Sequence, residues 1–187
     1  LFLYKKPIAV KGIIFDEFLK MVEKDHGYEL VDKILTKEKL ESNGVYTAVG
    51  TYDFSEMLVL LTNLGDELKA STNDLLYVFG KYFFSVILTY YKDIVNSYND
   101  PVEFLSSVDS HIHVHVRKIY PQAELPKFDT VTKSANYMHM NYYSQRSMSY
   151  FAKGLMEETF AHYDKSCRIE MTPINEDASA VEFHVHY

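Results

Sequence analysis

Three histidines at alternate positions, His111, His113 and His115 in the run His-Ile-His-Val-His, are the side chains best suited to binding chemistry. Neutral imidazole ligates transition metals and is a good axial ligand for haem iron. On a strand, the alternation would put all three on one face, as a non-haem metal site requires. On a helix, His111 and His115 would be neighbours four apart on one flank, with His113 on the other. The alternation by itself leaves three readings open: histidines with no ligand role, a two-histidine metal site, and a haem ligand.

A second group lies in Tyr142-Tyr143-Ser144-Gln145-Arg146. On a strand, Tyr142, Ser144 and Arg146 share one face at intervals of about 6–7 Å. Arg makes paired bonds to carboxylates, and the two hydroxyls can satisfy the remaining oxygens. The row therefore suits two adjacent carboxylates, such as haem propionates. An ordinary exposed strand face would read the same way.

The elements that must carry these groups differ between the two halves of the chain. Ile14, Phe15, Phe18, Leu19 and Val22 recur at helical spacing over Ile13 to Glu23, and His26-Gly27 breaks the pattern. A second helix is predicted from Tyr28 to Leu35, and a third over Met57 to Leu64 behind an Asp53 cap. The helix opening at Ser71 or Thr72 is apolar nearly all round through Leu75, Leu76, Val78, Phe79, Phe83, Val86 and Ile87, which implies burial. A short piece, Lys92 to Tyr98, precedes Asp100-Pro101-Val102-Glu103, a helix start with Asp as N-cap, Pro at N1 and Glu at N3. Leu105, Val108, Ile112, Val116 and Ile119 then trace one helical stripe up to Pro121, so the histidines are placed on a helix. Beyond Pro121 the period changes. Tyr137 to Arg146, Arg168 to Thr172 and Ala180 to Tyr187 read as strands, with a helix over Met148 to His162. The expected fold class is α+β: a helical N-terminal half, then an antiparallel sheet with packed helices.

With 187 residues and no repeat or linker, the chain suits one domain over residues 11–187, with 1–10 set apart as an N-terminal extension. The 16 Tyr and 12 Phe could line a pocket for a flat cofactor or simply pack a core. A net charge of −7, with Lys5-Lys6 and Arg117-Lys118 as the only basic pairs, argues against nucleic acid. No apolar run approaches the roughly 18 residues of a membrane span. A single cysteine, Cys167, excludes an internal disulfide and fits a reducing cytoplasm.

Taken together, these pieces resemble the haem-nitric oxide/oxygen binding (H-NOX) family, related to the haem domain of soluble guanylate cyclase. The matching segments are Lys11-Gly12-Ile13-Ile14-Phe15, Val78-Phe79-Gly80-Lys81, His113 ahead of Lys118-Ile119-Tyr120-Pro121, Pro126, Tyr142-x-Ser144-x-Arg146 and Gly154-Leu155. They occur in family order across residues 11–187. The resemblance implies haem b (iron protoporphyrin IX) buried between the two parts of the fold, with His113 as sole protein ligand to the iron. Tyr142, Ser144 and Arg146 would grip its carboxylates, Pro126 would press on the ring, and Ile14 and Leu155 would pack on it. His111 and His115 are left as flank residues.

Relatives that hold O₂ place a tyrosine five residues after the motif arginine. Here that position is Phe151, and the positions of its supporting distal residues read Phe18 and Phe83. The resemblance thus implies a non-enzymatic sensor of nitric oxide, able to bind CO and not suited to O₂. NO trans to His113 would weaken or break the iron–histidine bond and free its helix. The output would pass to a separate histidine kinase or diguanylate cyclase/phosphodiesterase. Some relatives carry a cysteine-rich zinc site, but Cys167, with His162, His184 and His186 nearby in sequence, is expected to be structural, with no zinc.

Overall fold

The computed structural model describes residues 8–187 and divides the chain into two compact units, one ending at Leu75 and the other spanning Leu76–Tyr187. In the first unit, β1 (Ala9–Lys11) pairs antiparallel with β2 (Thr51–Asp53), Val10 opposite Tyr52. Most of the extension read from the sequence lies outside the described residues, but Ala9 and Val10 belong to this pairing. Neither strand was anticipated, since three residues carry no measurable period.

Helix α1 (Gly12–His26) gives way to α2 (Tyr28–Thr36) at Gly27, whose φ of +86° is open to glycine at little steric cost. Helix α3 (Phe54–Leu68) starts where expected, because the Asp53 carboxylate accepts the Ser55 amide at 2.7 Å. Phe15, Phe18, Met57, Leu60, Leu61 and Leu64 are fully buried. The carboxylate of the buried Glu56 accepts the Tyr46 hydroxyl at 2.6 Å and the Ser42 amide at 2.9 Å, which ties the long α2–β2 connection to α3.

The boundary between the units falls in the first turns of α4 (Thr72–Val95). This helix runs further than the sequence predicts, and it kinks at Tyr91 (φ −131°, ψ 27°), next to Lys92 where a separate short helix was expected. Downstream, α5 (Pro101–Ser106) is followed by a π turn (Val108–Ile112) and α6 (His113–Ile119). A four-stranded antiparallel sheet has the order β3-β4-β6-β5, from β3 (Lys127–Lys133), β4 (Tyr137–Tyr143), β5 (Arg168–Pro173) and β6 (Ala180–His186). Helix α7 (Ser149–His162) lies between β4 and β5 in the chain. One sheet face, through Met138, Met140, Tyr142, Ile169, Val181, Phe183 and Val185, packs on Phe84, Phe104, Leu105, Ala152, Met156 and Phe160. Each large apolar side chain so buried contributes roughly 1.5–3 kcal/mol. The α+β architecture is as expected. Strand β3 was not foreseen, because an exposed edge strand has little apolar alternation to reveal it.

Helix α5 owes its start to Asp100, which accepts the amides of Val102 at 2.8 Å and Glu103 at 3.3 Å and pairs with Lys165. Burial opposes ionisation of Asp100, but the Lys165 bond and the two amides outweigh it, holding its pKa below the ordinary value. A lowered folded-state pKa stabilises the fold above the unfolded value and ceases to do so as pH falls. Asp100→Ala should therefore cost about 1 kcal/mol at neutral pH, and the deficit should shrink below about pH 4. Urea unfolding at two pH values checks this; a deficit that does not vary with pH would contradict it. Among the described residues, no helix is long and apolar enough to cross a membrane.

Candidate functional site

A regular helix from Asp100 to Pro121 would set His113 away from the apolar stripe. The structure breaks that helix. The His113 amide bonds the Val108 carbonyl five residues back, and the Ile112 amide bonds the Ser107 carbonyl at 3.4 Å. One extra residue in a turn rotates everything after it by about 100°. His113 accordingly becomes the first residue of α6 and is only 8% exposed. His111 stays at the surface, its Nδ1 2.5 Å from the Tyr98 hydroxyl, and His115 is half-buried. Ile119, at the end of the expected stripe, is exposed. The three-histidine metal site that a strand would have made is not formed.

His113 Nδ1 lies 3.0 Å from Asp109 Oδ1, and no other hydrogen bond engages the ring among the described residues. Burial lowers the His113 pKa and the Asp109 carboxylate partly opposes this, the net direction favouring the neutral imidazole. A neutral ring with Nδ1 fixed by a carboxylate presents Nε2 as a lone-pair donor, the form an iron ligand takes. The Asp-x-x-x-His spacing of Asp109 and His113 is the signal for this contact in the sequence. Asp109→Ala should weaken cofactor retention about 10–100-fold, read as the rate of loss to an excess of a competing haem acceptor. A rate equal to that of the parent protein would leave Asp109 without this role.

The rings of His113 and Phe128 are 6.1 Å apart, and those of Phe128 and Tyr142 5.3 Å apart, so the histidine and the Tyr-x-Ser-x-Arg group share one locality. Tyr142 ends the buried row of β4, and burial raises its pKa against the moderating contacts of Ser144, Arg146 and the Met148 amide. The expected strand through Arg146 is corrected: β4 stops at Tyr143. The Arg146 amide bonds the Ser144 hydroxyl oxygen at 3.2 Å, and the Ser147 amide returns to the Ser144 carbonyl at 3.1 Å. Ser147 adopts φ +50°, so a turn rather than an extended row gathers the three donors. The Arg146 side chain is 11% exposed, donates to the Glu124 carbonyl and has Nη1 3.9 Å from the Glu124 carboxylate. Burial lowers its pKa, with Tyr142 and Glu124 pulling the other way, yet a guanidinium remains charged. A half-buried cation beside two hydroxyls suits an anionic carboxylate edge.

On α4 and α7, Phe79, Phe83 and Phe151 form a ring cluster with centroid separations of 5.0–5.7 Å. Two glycines make this possible. A Cβ on Gly80 would sit 2.1 Å from the Phe151 carbonyl oxygen, and one on Gly154 2.2 Å from that of Tyr77. Gly154→Ala should destabilise by about 1–3 kcal/mol through forced helix separation, checked by the denaturation midpoint; an unchanged midpoint would mean the helices can part freely. Tyr150, the neighbour of Phe151, takes no part in the cluster. Leu155 packs half-buried against the core of the same unit, and Pro126 is half-buried just ahead of β3. In the first unit, Ile14 is half-buried and Phe18 fully buried on α1.

The haem-NO-binding family model matches residues 11–171. The chain is similar to the unliganded Fe(II) H-NOX protein of K. algicida, with 50% identity and a TM-score of 0.91, covering 95% of this chain and 96% of that one. It is also similar to the H-NOX of Shewanella woodyi, bound to IWP-051 in the Fe(II)CO state, with 34% identity, a TM-score of 0.79 and coverage of 95% and 94%. An S. oneidensis H-NOX in the Fe(II)NO state shares the fold at 22% identity and TM-score 0.83, over 95% of this chain and 98% of that one. The fold and site thus define a haem-based gas-sensing domain. The chain belongs to the haem-NO-binding, or H-NOX, family, and its cofactor is haem b.

Proposed function

We propose that residues 11–187 act as one haem-binding domain that senses nitric oxide and signals to a separate effector protein, without being an enzyme itself. His113 Nε2 is the iron ligand, oriented by Asp109. Tyr142, Ser144 and Arg146 hold the haem carboxylates, and Pro126 and Leu155 pack on the ring. For Ile14 and Phe18 the family resemblance alone supports the assignment.

Held by these residues, a haem would supply an iron able to bind a diatomic gas. The observation that carries the choice of gas is the ring cluster of Phe79, Phe83 and Phe151, which offers no hydrogen-bond donor. Bound O₂ develops negative charge and gains from a donor, whereas NO and CO need none. His113 tethers the start of α6, and the π turn before it includes a long bond, 3.4 Å from the Ile112 amide to the Ser107 carbonyl. A change in the pull on His113 is therefore absorbed there, giving the two-state element that a sensor needs. The effector's class, a histidine kinase or a diguanylate cyclase/phosphodiesterase, follows from family practice.

The test is absorption spectroscopy of the reduced protein, in air and under NO. NO should displace the Soret band to shorter wavelength, and air should yield no lasting oxygen complex. A stable oxygen complex would make the chain an O₂-binding member instead.

A further inference from the structure

The sheet face turned away from the core carries a second set of ligating groups. His139 on β4 and His184 on β6 are direct cross-strand partners, and Glu182 stands two residues before His184 on the same face. Their imidazoles stack, with centroids 4.6 Å apart at 22°. Glu182 Oε1 is 3.7 Å from His139 Nε2, and its Oε2 is 3.5 Å from His184 Nε2. One ligand atom from each of the three residues lies within 4.8 Å of the other two. The His139 Nε2 atom is inaccessible to solvent and has no hydrogen-bond partner.

We propose that His139, Glu182 and His184 bind a divalent transition-metal ion, with zinc as the expected occupant. The separations are too long for hydrogen bonds, which close at about 2.7–3.2 Å. They are near the roughly 3.4 Å that zinc bonds of about 2.0–2.2 Å at a tetrahedral angle set between ligand atoms, and one ring of the near-parallel stack must tilt for both lone pairs to meet one ion. An ion there also resolves the orphaned Nε2 of His139, since an inaccessible polar atom with no partner is costly. The Tyr137 hydroxyl, 2.7 Å from His184 Nδ1, fixes that ring with Nε2 toward the carboxylate, as an outer partner of a metal-bound histidine does. Two imidazoles and one carboxylate suit zinc and its transition-metal neighbours better than magnesium or calcium. A solvent molecule completes the shell.

Cys167 is no member of this site. Burial pushes its thiol up to about 11, which opposes the thiolate a zinc ligand must be. The sequence alone does not reveal the cluster, because only the pairing of β4 with β6 brings His139 to His184. The ion would link the two central strands and does not depend on the haem assignment.

Haem-loaded full chain, stripped with a chelator, is titrated with Zn²⁺ against a zinc-binding dye, so that His113 stays occupied. One equivalent should bind and raise the thermal midpoint, and zinc K-edge absorption should show N and O neighbours without sulfur. His139→Gln, His184→Gln and Glu182→Gln should each weaken binding about tenfold or more while leaving the Soret band in place. Cys167→Ser should change nothing. Absence of a bound equivalent, a sulfur neighbour, loss of binding in Cys167→Ser, or undiminished binding in the histidine and glutamate variants overturns the proposal.

Discussion

His113→Gly should yield a chain that purifies without a Soret band, and millimolar imidazole during haem loading should restore one. The expected loss of haem affinity exceeds the 10–100-fold typical of removing an outer partner of a metal ligand, because the bond itself is gone. The structure explains why this histidine should be decisive and its neighbours should not. His113 is buried with Nδ1 held at 3.0 Å by Asp109, whereas His111 is at the surface with its Nδ1 engaged by Tyr98. His111→Gly and His115→Gly should accordingly keep full haem content. Glycine leaves a gap that free imidazole can enter, so recovery of colour separates loss of a ligand from loss of the fold. An undiminished ferrous spectrum in His113→Gly would place the iron bond on another residue.

The second large effect concerns the gas. Phe151→Tyr should let the protein keep O₂ in air, where the parent chain is expected to form no lasting oxygen complex. A hydrogen bond to a charged partner is worth about 1.5–3 kcal/mol, hence roughly 10- to 150-fold tighter O₂ binding. The phenol would extend from a ring already set 5.0 Å from Phe79 and 5.5 Å from Phe83, two side chains that carry no donor of their own. NO affinity should move little, since NO gains less from a donor. Tyr150→Phe is the matched control. Successive helical residues point about 100° apart, so deleting the Tyr150 hydroxyl should leave both gases unaffected. Oxygen binding in the parent protein that vanishes in Tyr150→Phe would show that the register of α7 toward the gas is off by one.

Removal of a single hydroxyl or imidazole can be planned from sequence because local signals were strong where they existed. Asp100-Pro101-Val102-Glu103 announced α5, Asp53 announced α3, and Gly27 marked a break that its positive φ explains. The alternation of β5 and β6 was readable because one face of each is buried, which forces a period of two. By contrast, β1, β2 and β3 were silent, being short or exposed at an edge, where burial imposes no pattern.

The sequence by itself determined the chemical inventory: an imidazole ahead of a Pro stop, and two hydroxyls and a guanidinium at fixed spacing; the family resemblance alone marked Phe18, Phe83 and Phe151 as distal positions. The inventory is a matter of residue type and of neighbours a few positions away, which propensity, capping and periodicity report. Residue patterning left open which of three histidines turns inward, and the tertiary structure gives the reason, since a single π turn rotates the face and no local composition announces it. It alone decided that Ser144 and Arg146 fold back in a turn, and that His139 faces His184 across β4 and β6. Strand register and helix rotation are set by the summed burial of whole faces, an energy to which distant residues contribute as much as adjacent ones.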